Sequence, residues 1–248
     1  MLAGLPTARP RRSSLLGLSL GLGLAASALA PAAVAGGASI TYYGHSAVLI
    51  RGGGATVLLN PFQAVGCAAG LSEPRVSADV MLASSRLKDE GAPVASGRML
   101  VQPGSYQVAG LRIEGIGVPH DRLGGRRFGR STVWRWKQGG LEFAHLGGTA
   151  GSLSAADRVL LGRPDVLILG VGGGAKVYTG SEAAQVVREL QPRRVIPVQY
   201  GGRAAAGCDQ GSAQPFLEAM AGTKVNRPGR SLSLTPPLGD STVIELMR

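Results

Sequence analysis

From Ser39 onward, apolar and polar positions change places in short blocks. Residues 39–43, 47–50 and 55–59 are β-rich runs separated by turns at Gly44 and Gly52-Gly53-Gly54, a pattern that predicts a meander of three short strands. Residues 79–83 (Asp79 to Ala83) are almost continuously apolar, as in a strand covered on both faces; chemistry is expected at its C-terminal end. Further strand-like segments fall at 99–102, 106–108 and 111–117, with Pro and Gly at the joins. Residues 131–137 and 141–145 flank Gln138-Gly139-Gly140, which reads as a hairpin with a three-residue connection.

The last third changes rhythm. Residues 165–169 predict a strand, and a helix follows: Thr179 and Glu182 have the spacing of a capping box, and Ala183, Val186, Val187 and Leu190 recur on one helical face. Pro192 ends that helix. Residues 194–198 predict the next strand, with Pro197 placing it at an edge or placing the proline near the strand's end. A weaker helix at 215–220 and short strands at 232–234 and 242–246 close the chain. Strands alternating with helices predict parallel pairing with helical cover. No solenoid-length repeat or sustained heptad is present.

The 248 residues, 44% hydrophobic and 17% charged, suit one α/β or all-β domain. Ahead of it, Arg9, Arg11 and Arg12 precede an apolar stretch over 15–30 and a small-residue site at Ala33-Val34-Ala35, the tripartite form of an export signal. The domain boundaries expected are therefore a leader over 1–35, cleaved after Ala35, and a single domain over 36–248. An uncleaved anchor is the alternative, although Pro31 interrupts a stretch already shorter than the ~20 residues that span a bilayer. Residues 10–16, with Arg11-Arg12, resemble a twin-arginine signal in which Ser14 stands where an aromatic is common, so the periplasm or the thylakoid lumen is the expected compartment. Losing three arginines leaves a chain of formal net charge +11 still basic. Arginines crowd Arg122, Arg126, Arg127, Arg130 and Arg135, a solvated loop or a surface for an anionic substrate, membrane or partner. With 4% aromatics and no recognition helix or finger, nucleic acid is not an expected partner. Cys67 and Cys208 are the two cysteines; an oxidising compartment leaves open one disulfide or two thiols.

Six short motifs occur in order: residues 40–47 with Gly44-His45-Ser46, Leu59-Asn60-Pro61-Phe62, Pro119-His120-Asp121, Ala144-His145-Leu146-Gly147, residues 170–174, and residues 196–200 with Gln199. Together they resemble the metallo-β-lactamase superfamily, in the branch similar to L-ascorbate-6-phosphate lactonase-like metal-dependent hydrolases. The resemblance spans the mature chain and implies an α/β four-layer αββα sandwich. It also implies a dinuclear metal site built on a His-x-His-x-Asp-His loop, which here reads Ser85-Arg86-Leu87-Lys88-Asp89-Glu90. Asp89 keeps its identity, His145 matches the later histidine of the first site, Gly148 stands where an aspartate bridges the metals, and Gln199 stands for the final histidine.

Zinc sites use three or four His, Cys or carboxylate ligands, so zinc is not expected at the usual dinuclear site. Asp89, Glu90, His145 and Gln199 are the remnant metal positions, and their oxygens leave room for one Mg²⁺, Mn²⁺ or Ca²⁺ ion. The competing expectation is that Asp89 and Glu90 pair with nearby Arg86 or Lys88. His120 and His145 are the candidate catalytic groups, expected on an exposed rim where a neutral imidazole acts as acid or base; His45 is read as structural. Ser84 and Ser85 lack a nucleophile-elbow context, and residues 172–176 lack the spacing of a phosphate loop. The leading functional reading is a pseudoenzyme, an exported non-hydrolytic protein that binds an unknown small molecule or protein. The alternative is a divergent hydrolase of phosphoester, lactone or amide substrates with a reduced metal site, and recruitment to an anionic membrane is a third.

Overall fold

The computed structural model describes Met1, Gly4, residues 36–201 and residues 207–248. The leader read from residues 1–35 lies, apart from Met1 and Gly4, outside the described residues. Residues 36–201 and 207–248 lie in one compact unit, made of two sheets packed face to face.

The first sheet has the order β13-β1-β2-β3-β4-β5 and the second β12-β14-β11-β10-β9-β8-β7-β6. In chain order the strands are β1 (Ala38–Gly44), β2 (Ala47–Gly52), β3 (Ala55–Leu59), β4 (Ser77–Leu82), β5 (Ser96–Leu100), β6 (Gly104–Val108), β7 (Leu111–Pro119), β8 (Arg130–Gln138) and β9 (Leu141–Gly147). After helix α1 (Ala155–Leu161) come β10 (Val166–Gly170), α2 (Gly180–Leu190), β11 (Arg194–Val198), α3 (Gln214–Ala219), β12 (Lys224–Asn226), β13 (Ser231–Leu234) and β14 (Val243–Glu245). The expected meander is β1-β2-β3, antiparallel throughout. The expected parallel rhythm appears as β9, β10, β11 and β14 side by side. The late strand β13 pairs with the first strand, Ser39 opposite Ser233, so the first sheet is closed by the two ends of the domain.

The main core lies between the sheets, where Ile40, Val48, Ile50, Val57, Leu59 and Val80 meet Trp134, Trp136, Phe143, Val166, Ile168 and Ile196, all buried. Gln138 is polar yet buried within this layer: it accepts from the Trp136 indole N–H at 3.0 Å and donates to the Ala55 carbonyl at 2.8 Å. The amide thereby satisfies a buried indole and ties the two sheets together. A second core lies under the helices, with Leu146, Leu167, Leu169 and Val195 against Leu161, Ala183, Val187, Leu190 and Phe216.

Among the described residues, helical cover is one-sided. The α-helices pack on the second sheet, whereas the segment leaving β3 contains a single 3₁₀ turn at Gly66–Ala68. Pro61, Gly66, Gly70 and Pro74 in that segment oppose a longer helix. The α2 capping box forms as its spacing predicts, Thr179 Oγ1 accepting from the Glu182 N–H and the Glu182 carboxylate from the Thr179 N–H. Helix α1 was not foreseen, although Ser154 and Asp157 close a capping box of the same form; β12 was also missed. The β8–β9 connection is shorter than expected, with Gln138 paired to Leu141. Only Gly139 and Gly140 form the loop, both at positive φ, as a type I′ turn requires. Pro197 lies in an interior strand, but β14 pairs only with Arg194 and Val195, so the proline sits beyond that ladder, near the strand's end.

Candidate functional site

Six connections meet around the buried carboxylate of Glu90. The first leaves β3 at Asn60, held at φ 39°; its side chain accepts from the Ser84 N–H at 2.7 Å and donates to Ser84 Oγ at 2.9 Å. That clamp fixes the start of the loop after β4. The loop then turns on itself, with the Glu90 and Gly91 N–H groups both donating to the Leu87 carbonyl, and this returns Glu90 beneath Ser84 and Ser85. Ser85 Oγ donates to Glu90 Oε2 at 2.9 Å.

The loop after β10 brings Lys176. Its ammonium donates to Asp89 Oδ2 at 2.9 Å and lies 3.3 Å from Glu90 Oε1. Gln199, held at φ 50° after β11, donates from Nε2 to Glu90 Oε1 at 3.4 Å. His120, after β7, places Nε2 at 3.3 Å from Glu90 Oε2. The loop after β9 contributes space: a Cβ on Gly148 would lie 2.3 Å from Glu90 Oε1. The Glu90 carboxylate therefore fills the volume that a side chain at 148 would need.

Burial pushes the Glu90 carboxyl pKa upward, but His120, Lys176 and Ser85 outweigh it and hold it at about 2. Burial pulls the Lys176 ammonium down, yet Glu90 and Asp89 more than compensate, so its pKa is raised. The centre is the Glu90 carboxylate and Asp89 side chain gathered around an internal ammonium.

Asp89, Glu90 and Gln199 are thus brought together. The expected pairing of Asp89 and Glu90 with Arg86 or Lys88 is corrected: the partner is Lys176, because the turn at Leu87 sends both carboxylates inward while Arg86 and Lys88 stay exposed. The expected rim position of His120 and His145 is also corrected. Both are fully buried; His120 meets Glu90 through Nε2, whereas His145 lies within β9 opposite Trp134 and its ring makes no hydrogen bond among the described residues. Burial lowers the His145 pKa to about 3, leaving a neutral core imidazole. His45 is buried as well, its ring edge-on to Phe62, and its backbone carbonyl accepts from the Tyr42 hydroxyl and the Gln199 N–H.

A dinuclear metal centre does not fit these residues. The two carboxylates are already engaged by an ammonium, whose charge opposes a second cation, and position 148 offers no donor. Among the described residues, no three His, Cys, Asp or Glu side chains converge as a metal-holding group. Lys176, Ser84 and Ser85 were not recognised as parts of this centre in the sequence. The signal for Lys176 was a single charge in the otherwise uncharged stretch 166–181.

Acid should weaken the fold with a defined sign. His145 (about 3 against 6.5) and Glu90 (about 2 against 4.5) both have lowered folded-state pKa values. Their stabilising contributions are therefore complete above pH 6.5 and are lost as pH falls, His145's from 6.5 toward 3 and Glu90's from 4.5 toward 2, each on the order of a few kcal/mol. Thermal melts should show Tm falling below pH 6.5. In His145→Leu the limb between pH 6.5 and 4.5 should be shallower, and an unchanged limb would remove His145 as its source.

Residues 39–199 match the family model described as the beta-lactamase superfamily domain. Solved structures share the fold. A metallo-beta-lactamase superfamily protein from Thermotoga maritima, named as a candidate zinc-dependent hydrolase, is 24% identical over 85% of this chain and 100% of its own, with TM-score 0.67. The metallo hydrolase Igni18 from Ignicoccus hospitalis is 16% identical over 80% and 98%, TM-score 0.54. An isothiocyanate hydrolase from Delia radicum gut bacteria is 11% identical over 83% and 95%, TM-score 0.57. Among curated protein sequences, none matches the chain.

Proposed function

Because the chain belongs to the beta-lactamase superfamily domain family, with a metallo-β-lactamase fold, we propose that it is a member that has exchanged its dinuclear metal site for an internal ion cluster and works as a binding or scaffold protein. One observation carries this reading: the Lys176 ammonium, 2.9 Å from Asp89 and 3.3 Å from Glu90, occupies the carboxylates that a metal would need. The remaining substitutions agree with it. Ser85, Leu87, Glu90, Gly148 and Gln199 stand where the superfamily resemblance implies ligands, and the branch is the one similar to L-ascorbate-6-phosphate lactonase-like proteins. Export through a twin-arginine leader to the periplasm or thylakoid lumen belongs to the same proposal, supported by the arginine pair, the apolar stretch and the small-residue site.

The cluster also limits metal-free catalysis. A carboxylate held near pKa 2 is a poor general base at neutral pH, and His145 is enclosed in a strand. The test is metal content of the full chain after incubation with Zn²⁺, Mn²⁺ or Mg²⁺ and removal of free ion. Substoichiometric metal, with no hydrolysis of phosphodiester, lactone or amide substrates, is expected. Stoichiometric metal lost together with activity in Asp89→Ala would establish the divergent hydrolase instead.

A further inference from the structure

Beside the ion cluster, and separate from its charges, a cavity of about 540 Å³ opens between the loop after β4, the β5–β6 connection and the start of β8. It is lined by the buried Ser85 and Thr132, the apolar Leu87, Val101 and Phe128, and the exposed Arg86 and Arg130. Its volume is within the range of small-molecule sites. Among the described residues, no acidic residue lines it.

The charge of this cleft follows from where the neighbouring acids point. Asp89 and Glu90 are turned inward to Lys176. Asp121 accepts from the backbone N–H groups of Leu123, Gly125, Arg127 and Phe128; burial would raise its carboxyl pKa, but these four donors hold it low. The nearby acids are thus spent on the fold. The arginines divide: Arg122 is committed to Glu182 and to the Gly174 and Val177 carbonyls, Arg135 to Glu142 and the Leu160 carbonyl, and Arg130 gives one N–H to the Gly117 carbonyl. Arg86 is exposed and pairs with no carboxylate among the described residues. The Arg86 guanidinium, unclaimed by any carboxylate among the described residues, lines the same cleft as Arg130 and Phe128, and the Phe128 ring also carries the Arg127 guanidinium 4.9 Å from its centroid; such a set is suited to a carboxylate or similar anionic head joined to a flat apolar body.

We propose that this cleft binds a small organic anion, its acidic head between Arg86 and Arg130 and its apolar body against Phe128, Leu87 and Val101. The proposal names the ligand class for the binding role given above and rests on that reading.

Calorimetric titration of the full chain with 2-naphthoate and with its neutral isostere 2-naphthamide tests it. Naphthoate is expected to bind and the amide to bind at least tenfold more weakly, with naphthoate affinity falling as salt rises. Arg86→Glu should weaken naphthoate at least tenfold and leave the amide unchanged. Lys224→Glu, the same charge change on the far edge strand β12, should leave naphthoate affinity at the wild-type level. Circular dichroism shows whether each variant is folded, and Arg86→Gln serves if the glutamate variant is not. Equal affinity for acid and amide, or naphthoate binding untouched by both Arg86 variants, overturns the anion site. Chelator-sensitive hydrolysis of 2-naphthyl acetate by the wild type would instead overturn the binding-protein reading, so the two failures are distinguishable.

Discussion

Replacing Lys176 by methionine should lower the unfolding free energy by about 3–5 kcal/mol, the cost typical of removing one partner from a buried ion cluster. Methionine keeps most of the side-chain length, so the loss isolates the charge. Asp89 keeps some access to water, but Glu90 is fully buried, and without the ammonium its carboxylate retains only Ser85, His120 and weaker contacts. Urea unfolding at pH 7 measures the effect. Glu90→Gln in the Lys176→Met background should recover a large part of the loss, because a neutral amide no longer needs the cation. Additive losses in the double variant would show that the two groups are not coupled. Mn²⁺ should raise the unfolding midpoint of Lys176→Met and leave the wild type unmoved, since the freed carboxylates offer the oxygen ligands such a cation takes.

Reduction of the Cys67–Cys208 disulfide should produce the other large loss. The bond joins the 3₁₀ turn after β3 to the segment before α3, with Cα atoms 4.8 Å apart and a sequence separation of 141. A loop of that length gives about 5 kcal/mol in the chain-entropy limit, within a measured range of roughly 0–5 kcal/mol for disulfides. Both cysteines are half-buried. Urea curves with and without reductant, beside a Cys67→Ser/Cys208→Ser variant, should show the reduced protein and the double variant unfolding at the same lowered midpoint. Two titratable thiols in the native, unreduced protein would remove the bond. Composition left this pairing open, because the sequence says nothing of how far apart residues 67 and 208 lie; the fold decides it by packing one loop against the other.

The same distinction separates what was legible elsewhere. Strands announce themselves through period and turn residues, which are local, so β3 and β11 fall on the predicted residues 55–59 and 194–198. Helix α1 was missed because its capping box carries Asp157 in place of glutamate and its seven residues bury only Leu161, leaving almost no apolar stripe to read. At the site, the motif positions located the right loops, but partnership is a property of three dimensions. Arg86 and Lys88 are the cations nearest to Asp89 in sequence; Lys176 is 87 residues away and makes the contact. Burial of His145 is likewise invisible locally, since a histidine at the end of a strand reads as a rim residue until Trp134 is placed opposite it.

The pairing of β1 with β13 has a consequence for how the chain acquires its structure. Ser39 cannot find Ser233 until nearly the whole domain has been synthesised, so the edge of β1 stays open throughout elongation. Pairings between such distant segments slow folding, and an open edge is a template for joining another chain. A ribosome-bound intermediate ending before residue 231 should therefore be sensitive to proteases and prone to self-association, and chaperone dependence should end once β13 is delivered.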